Sequence, residues 1–157
     1  MPTLTTRTRS SRHARRATPA PLRAYFAAKL AAELGPHDLH RLIEDGQRGF
    51  IILDVRSPEG YAQGRLPGAR HIPYTDLARR LQELPKQQEI ITYCWNVTCL
   101  LCTKASLLLA SRGFRTRELI GGIAEWTAAG FPVERSHQLR LQRAVRRSDQ
   151  PTQPRRQ

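Results

Sequence analysis

The chain has 157 residues, enough for one ordinary domain with a real core but not for two domains and a linker. Its 26 Lys+Arg against 13 Asp+Glu give a net charge of +13, and its three cysteines all fall between positions 94 and 102. That cluster excludes the disulfide framework of an exported fold and points to local thiol chemistry in a reducing compartment.

The positive charge sits at the two ends. Residues 1–35 carry seven basic residues against Glu33 alone, and residues 135–157 carry seven against Asp149 alone. Residues 36–134 are nearly neutral at +1. The ends, 1–20 and 135–157, are read as basic, solvated, disordered tails. The sharper alternative is electrostatic contact with nucleic acid or another acidic surface, although no aromatic residue interleaves their arginines to stack on bases. Residues 1–21 also have the Arg-rich, acid-free look of an organellar transit peptide. No secretory signal and no membrane-spanning stretch is visible, so the expected location is the cytoplasm, or an organellar matrix if the first tail is a transit peptide.

In chain order, the first predicted element is an N-terminal helix within 21–36. Pro21 suits the first turn, Leu22, Phe26, Leu30 and Leu34 recur on one face, and Gly35-Pro36 ends it. A short helix over 38–45 follows and stops at Gly46. Phe50-Ile51-Ile52-Leu53 is an apolar run of strand length, as strands buried on both faces read. Ser57 and Pro58 are a good N-cap and first-turn pair for the next helix. A short strand near 69–72, a helix from Thr75 carrying Leu77, Leu81 and Leu84, and a strand over 89–93 come next. Cys94 stands at the C-terminal end of that last strand. A helix over 103–111, a strand over 117–120, the pair Gly121-Gly122 and a helix through Trp126 complete the pattern. Strands alternating with helices of about ten residues predict an α/β fold: a mostly parallel central sheet of about five strands, with helices on both faces. Ligands of such sheets bind beyond the C-terminal strand ends, where Cys94 sits.

Several segments carry a family resemblance. Asp54-Val55-Arg56-Ser57-Pro58, Tyr61, Gly64-Arg65-Leu66-Pro67-Gly68-Ala69, Ile72-Pro73, Tyr93-Cys94, Gly113-Phe114 and Leu119-Ile120-Gly121-Gly122-Ile123-Ala124-Glu125-Trp126 resemble, in this order, the rhodanese-like domain. The resemblance spans residues 37–134, and the loop resembles a bacterial subgroup of the Cys-Trp-x-x-x-Cys type. It implies a single domain that accepts sulfane sulfur from a small-molecule or protein donor as a Cys94 persulfide and passes it to a thiol acceptor, with no metal or organic cofactor. It also implies an active-site loop of Trp95, Asn96, Val97, Thr98, Cys99, Leu100 and Leu101 whose backbone N–H groups cradle the sulfur.

The chemistry needs that cradle. A thiol attacks only as thiolate, and N–H groups at a helix start favour the anion. Residues 95–101 carry no charge, and the loop is about two residues longer than the family's short form. A bulky donor or a protein therefore suits it better than thiosulfate. Lys104 and Arg65 are the candidate anion contacts; Arg65 stands where the family has a histidine. Phosphatases and arsenate reductases of this fold need an arginine at the position of Leu100, so phosphoryl chemistry is not expected.

Cys99 and Cys102 read either as small apolar packing residues or, for Cys99, as a resolving thiol that would make a Cys94/Cys99 redox switch. A metal site is the third reading, disfavoured by the spacing. Asp54, Arg56, Gly121 and Gly122 are read as structural, and Trp95 either packs or lines the donor pocket. The runner-up to sulfur transfer is a catalytically weak binding or regulatory module docked through its basic tails.

Overall fold

A computed structural model describes residues 18–135, so the predicted tails lie outside the described residues apart from 18–20 and 135. The elements run α1 (Pro19–Ala32), β1 (Glu33–Leu34), α2 (Pro36–Glu44), β2 (Phe50–Asp54), α3 (Pro58–Gln63), β3 (Arg70–His71) and α4 (Tyr74–Leu77). A single 3-10 turn (Leu81–Glu83) then leads to β4 (Glu89–Tyr93), α5 (Leu101–Ser111), β5 (Thr116–Leu119) and α6 (Gly122–Ala128). The five strands form one sheet in the order β1-β5-β4-β2-β3, and every pairing is parallel.

The continuous apolar runs are explained by the two faces of this sheet. Successive side chains of a strand point to opposite sides. Leu53, Ile90 and Cys94 therefore pack on one face with Leu77, Ala105, Leu109 and Phe114 from the helices covering it. Ile52, Ile91, Tyr93 and Leu119 pack on the other with Leu39 and Trp126. Trp126 also donates its indole N–H to the Pro132 carbonyl at 2.8 Å, so no polar group is stranded in that core.

Three local expectations need correction. The predicted helix through Leu34 stops at Ala32, because Glu33 and Leu34 extend and pair with Glu118 and Leu119 as the edge strand. The sheet therefore begins before residue 37. Among the described residues α1 buries no side chain, and Leu22, Phe26 and Leu30 are exposed. The helix expected from Thr75 is only one turn long and is followed by the 3-10 turn, yet Leu77 and Leu84 still reach the core. Ser57 behaves as predicted, its hydroxyl accepting from the Gly60 N–H at 3.3 Å to cap α3. Among the described residues no helix is long and apolar enough to cross a membrane.

Candidate active site

Register brings the site together. Asp54 lies beside Tyr93 in the β2–β4 ladder, so both strands end at one level and Cys94 follows at once. The carboxylate of Asp54 accepts from Arg56 Nε at 2.9 Å and from Nη2 at 2.6 Å, and the Tyr93 hydroxyl donates to the same carboxylate. Arg56 Nη2 also donates to the Gly64 carbonyl at 2.6 Å, while the Leu66 N–H donates to the Tyr93 oxygen at 3.2 Å. Asp54, Arg56 and Tyr93 are almost wholly buried. Burial, with the Asp54 carboxylate adding to it, pushes the Tyr93 hydroxyl up far beyond titration. Asp54 and Arg56 pair with each other at the strand ends; Tyr93, which joins them, carried no sequence signal beyond its place before the cysteine.

The loop after Cys94 is built on Asn96. Its side-chain oxygen accepts from the Thr98 N–H at 3.1 Å and from the Thr98 hydroxyl at 2.8 Å, and its carbonyl accepts from the Cys99 N–H at 3.2 Å. The expected cradle is thus only partly present, since the Thr98 and Cys99 N–H groups are spent inside the loop. The N–H groups that reach Cys94 come from the two ends, Trp95 and Cys102, and Cys102 lies in the first turn of α5. Leu101 packs against the core, whereas Val97 and Leu100 are exposed.

The unforeseen contact is between thiols. Cys102 Sγ lies 3.2 Å from Cys94 Sγ, with both residues buried and both thiols free. The Cys99 carbonyl is 3.1 Å from the same sulfur. The hydrogen bond from Cys102 is the main reason that the Cys94 thiol is lowered to about 6. Burial opposes it, and the Cys99 thiol with the Cys102 and Trp95 N–H groups assists. The same hydrogen bond, reinforced by burial, pushes the Cys102 thiol far up. At neutral pH the pair therefore carries one negative charge, held on Cys94. A titration of thiolate absorbance should show a step near pH 6 in the wild-type protein that Cys94→Ser removes. Cys102→Ala should move that step to higher pH, because the donor that stabilises the anion is lost. A Cys94 that titrates like an ordinary thiol would overturn this arrangement.

The start of the loop is pinned by α6. Ile123 N–H donates to the Cys94 carbonyl and Ala124 N–H to the Trp95 carbonyl, both at 3.0 Å. That approach is close enough to require Gly122, whose φ is +55° and whose added Cβ would stand 2.3 Å from the Cys94 oxygen. Trp95 both packs and borders a cleft. Its ring stacks over Arg56 at 4.7 Å, fits where Gly60 has no side chain, and lines an open cleft of about 440 Å³ with Ile123, Thr127 and Val133.

Neither predicted anion contact is placed at the sulfur. Arg65 pairs with Glu134 at 3.3 Å and stacks on Tyr61. Lys104 is exposed on α5 and does not line the cavity of about 210 Å³ beside Cys99 and Cys102; Lys29, paired with Glu33, lines it instead. Among the described residues no group of three or more His, Cys, Asp or Glu could hold a metal ion.

The family model of the rhodanese-like domain matches residues 35–129. The chain belongs to the rhodanese-like domain family. A Bacillus halodurans protein of known structure superposes on it with a TM-score of 0.69, at 37% identity over 75% of this chain and 87% of that one. This rhodanese-like chain is also 31% identical to a sulfurtransferase of Allochromatium vinosum, over 64% of its own length and 92% of the relative's. It is 37% identical to an HTH-type transcriptional regulator of Mycobacterium tuberculosis over 62% of its length, and there it spans only 42% of the relative. The family and its relatives support a sulfur-transfer domain.

Proposed function

We propose that the chain is a rhodanese-type sulfurtransferase that carries sulfane sulfur as a persulfide on Cys94, with no metal or organic cofactor. The carrying observation is the Cys94 thiol at the end of β4, lowered to about 6 by Cys102 and by backbone N–H groups from both ends of the loop. The Cys94 thiolate attacks the outer sulfur of a donor persulfide R–S–S⁻, forming the Cys94 persulfide anion and releasing R–S⁻. An acceptor thiolate then attacks that outer sulfur, and Cys94 leaves as thiolate. The same hydrogen bonds favour the anion at the start and at the end of the cycle, so the low thiol pKa serves both half-reactions.

Donor choice follows from the loop. Residues 95–101 offer no charge to grip thiosulfate, and the exposed Trp95, Val97 and Leu100 present an apolar rim to a larger or proteinaceous donor. Contact of the basic tails with nucleic acid or an acidic surface, and a cytoplasmic location, belong to the same reading.

The test is intact-mass spectrometry of the reduced protein after thiosulfate, 3-mercaptopyruvate or polysulfide. At the earliest times after mixing with polysulfide, wild type is expected to gain one sulfur atom, removable by cyanide, and Cys94→Ser to gain none. Thiosulfate turnover equal to that with polysulfide would sink the donor argument. No adduct from any donor and no sulfide released would favour a second reading, a binding or regulatory module docked through its basic tails, to which the match with part of a transcriptional regulator lends support.

A further inference from the structure

Cys94 is completely buried. Its sulfur is shielded from solvent, but one thiol already stands beside it. Cys102 Sγ stands 3.2 Å from Cys94 Sγ, inside the separation of about 3–3.5 Å at which reacting atoms are poised for attack. The two residues are eight apart in sequence, and Cys102 is held in the first turn of α5, packed in the same core cluster as Cys94. Cys99 is also near, its carbonyl 3.1 Å from the nucleophile and its thiol helping to hold the Cys94 anion, but the 3.2 Å sulfur–sulfur contact is made by Cys102. Cys102 also lines the cavity of about 210 Å³ whose charged lining residues are Lys29, Glu33 and Glu118.

We propose that Cys102 is a resolving thiol, which attacks the inner sulfur of the Cys94 persulfide, expels hydrosulfide and leaves a Cys94–Cys102 disulfide. This inference rests on the persulfide reading given above and adds a persulfide-reductase activity to it. The step balances: Cys94–S–S⁻ plus Cys102–SH gives Cys94–S–S–Cys102 plus HS⁻. The Cys102 sulfur forms a bond to Cys94 Sγ, the inner-to-outer sulfur bond breaks, and the Cys102 proton leaves on the hydrosulfide. Two molecules of a low-molecular-weight thiol then reduce the disulfide and are themselves oxidised to one disulfide. Over the cycle, one donor persulfide and two thiols become one donor thiol, one hydrogen sulfide and one low-molecular-weight disulfide.

Loading the sulfur arms the second thiol. In the resting pair the Cys94 thiolate holds the Cys102 proton between the two sulfurs. A persulfide moves the negative charge outward by one sulfur–sulfur bond, about 2 Å, and leaves a neutral inner sulfur facing Cys102. The atom that held the proton becomes the electrophile, and the proton is drawn toward the outer sulfur that departs. The competing role for Cys102, as a mere hydrogen-bond donor that stabilises Cys94, predicts a persulfide that persists.

The full-length reduced protein is mixed anaerobically with one equivalent of inorganic tetrasulfide. It is desalted and followed by intact mass, sulfide trapping and peptide mapping without reduction. The expected wild-type result is passage from one added sulfur to the loss of two hydrogens, one sulfide released per chain, and a peptide linking Cys94 to Cys102. Cys102→Ser, whatever its rate of loading, is expected to accumulate the Cys94 persulfide and to release sulfide slower by about tenfold or more. A wild-type persulfide that persists in the folded protein, or a Cys94–Cys99 link in its place, would overturn the inference while leaving sulfur transfer intact. The wild-type map decides this even if the variant fails to fold. If neither wild type nor Cys102→Ser gains sulfur, the persulfide reading itself fails and takes the inference with it.

Discussion

Replacing Asp54 by alanine is expected to cost about 3–5 kcal/mol, the range for removing one partner of a buried ion pair. The change strips Arg56, which is 1% exposed, of the carboxylate that meets both its Nε and its Nη2. It also leaves the buried Tyr93 hydroxyl without its acceptor. Domains of this size have about 5–15 kcal/mol to lose, so the variant should sit near the edge of folding. Urea unfolding measures the loss. Tyr93→Phe removes one hydrogen bond and no charge, and should cost only about 1 kcal/mol. An Asp54→Ala loss as small as that of Tyr93→Phe would mean that water reaches Arg56 and that the pair is not the brace described above.

Gly122→Ala should damage the site more than any change of equal size nearby. A left-handed backbone costs an L-residue about 1–2 kcal/mol, and φ of +55° places Gly122 there. The larger effect is steric, because the new Cβ would meet the Cys94 oxygen at 2.3 Å and its carbonyl carbon at 2.8 Å, and backbone atoms cannot swing aside. Relief requires the loop to back away, which breaks the bonds from Ile123 and Ala124 to the Cys94 and Trp95 carbonyls. Sulfur loading of Cys94 is expected to fall by about tenfold or more. Gly121→Ala is the control. Its φ of +78° carries the same backbone cost, and its Cβ would clash with Cγ and Cβ of Glu125, at 2.0 and 2.5 Å, rather than with the Cys94 carbonyl. Equal loading rates in the two variants would show that the Gly122 contact does not position the nucleophile.

Much of this was legible in the sequence because it rests on short-range rules. Phe50 to Leu53 and Glu89 to Tyr93 read as strands since a parallel strand covered on both faces has no polar side to show. Cys94 was singled out because the segments around it resemble the rhodanese-like domain and because a strand end ahead of a helix is where such sheets hold ligands. The proximity of Cys102 was hidden. Its contact with Cys94 crosses a loop with no periodicity, and its shape depends on side-chain bonds such as those of Asn96. The third cysteine itself was the one available signal. Leu34 was misread for another reason: it continues the four-residue spacing of Leu22, Phe26 and Leu30 while belonging to a two-residue strand that only its partner, β5, can define. Arg65 looked available as a cation because Glu134, which takes its charge, lies far along the chain.

The outline of the sheet bears on how the molecule meets its neighbours. Its margins are β1 and β3, each only two residues long, while the five-residue strands β2 and β4 are interior. A foreign strand seeking to extend the sheet would find almost no unpaired backbone to zip against. Edge-to-edge growth into fibres is disfavoured in the same way, which leaves side-chain surfaces of the described residues as the available contacts.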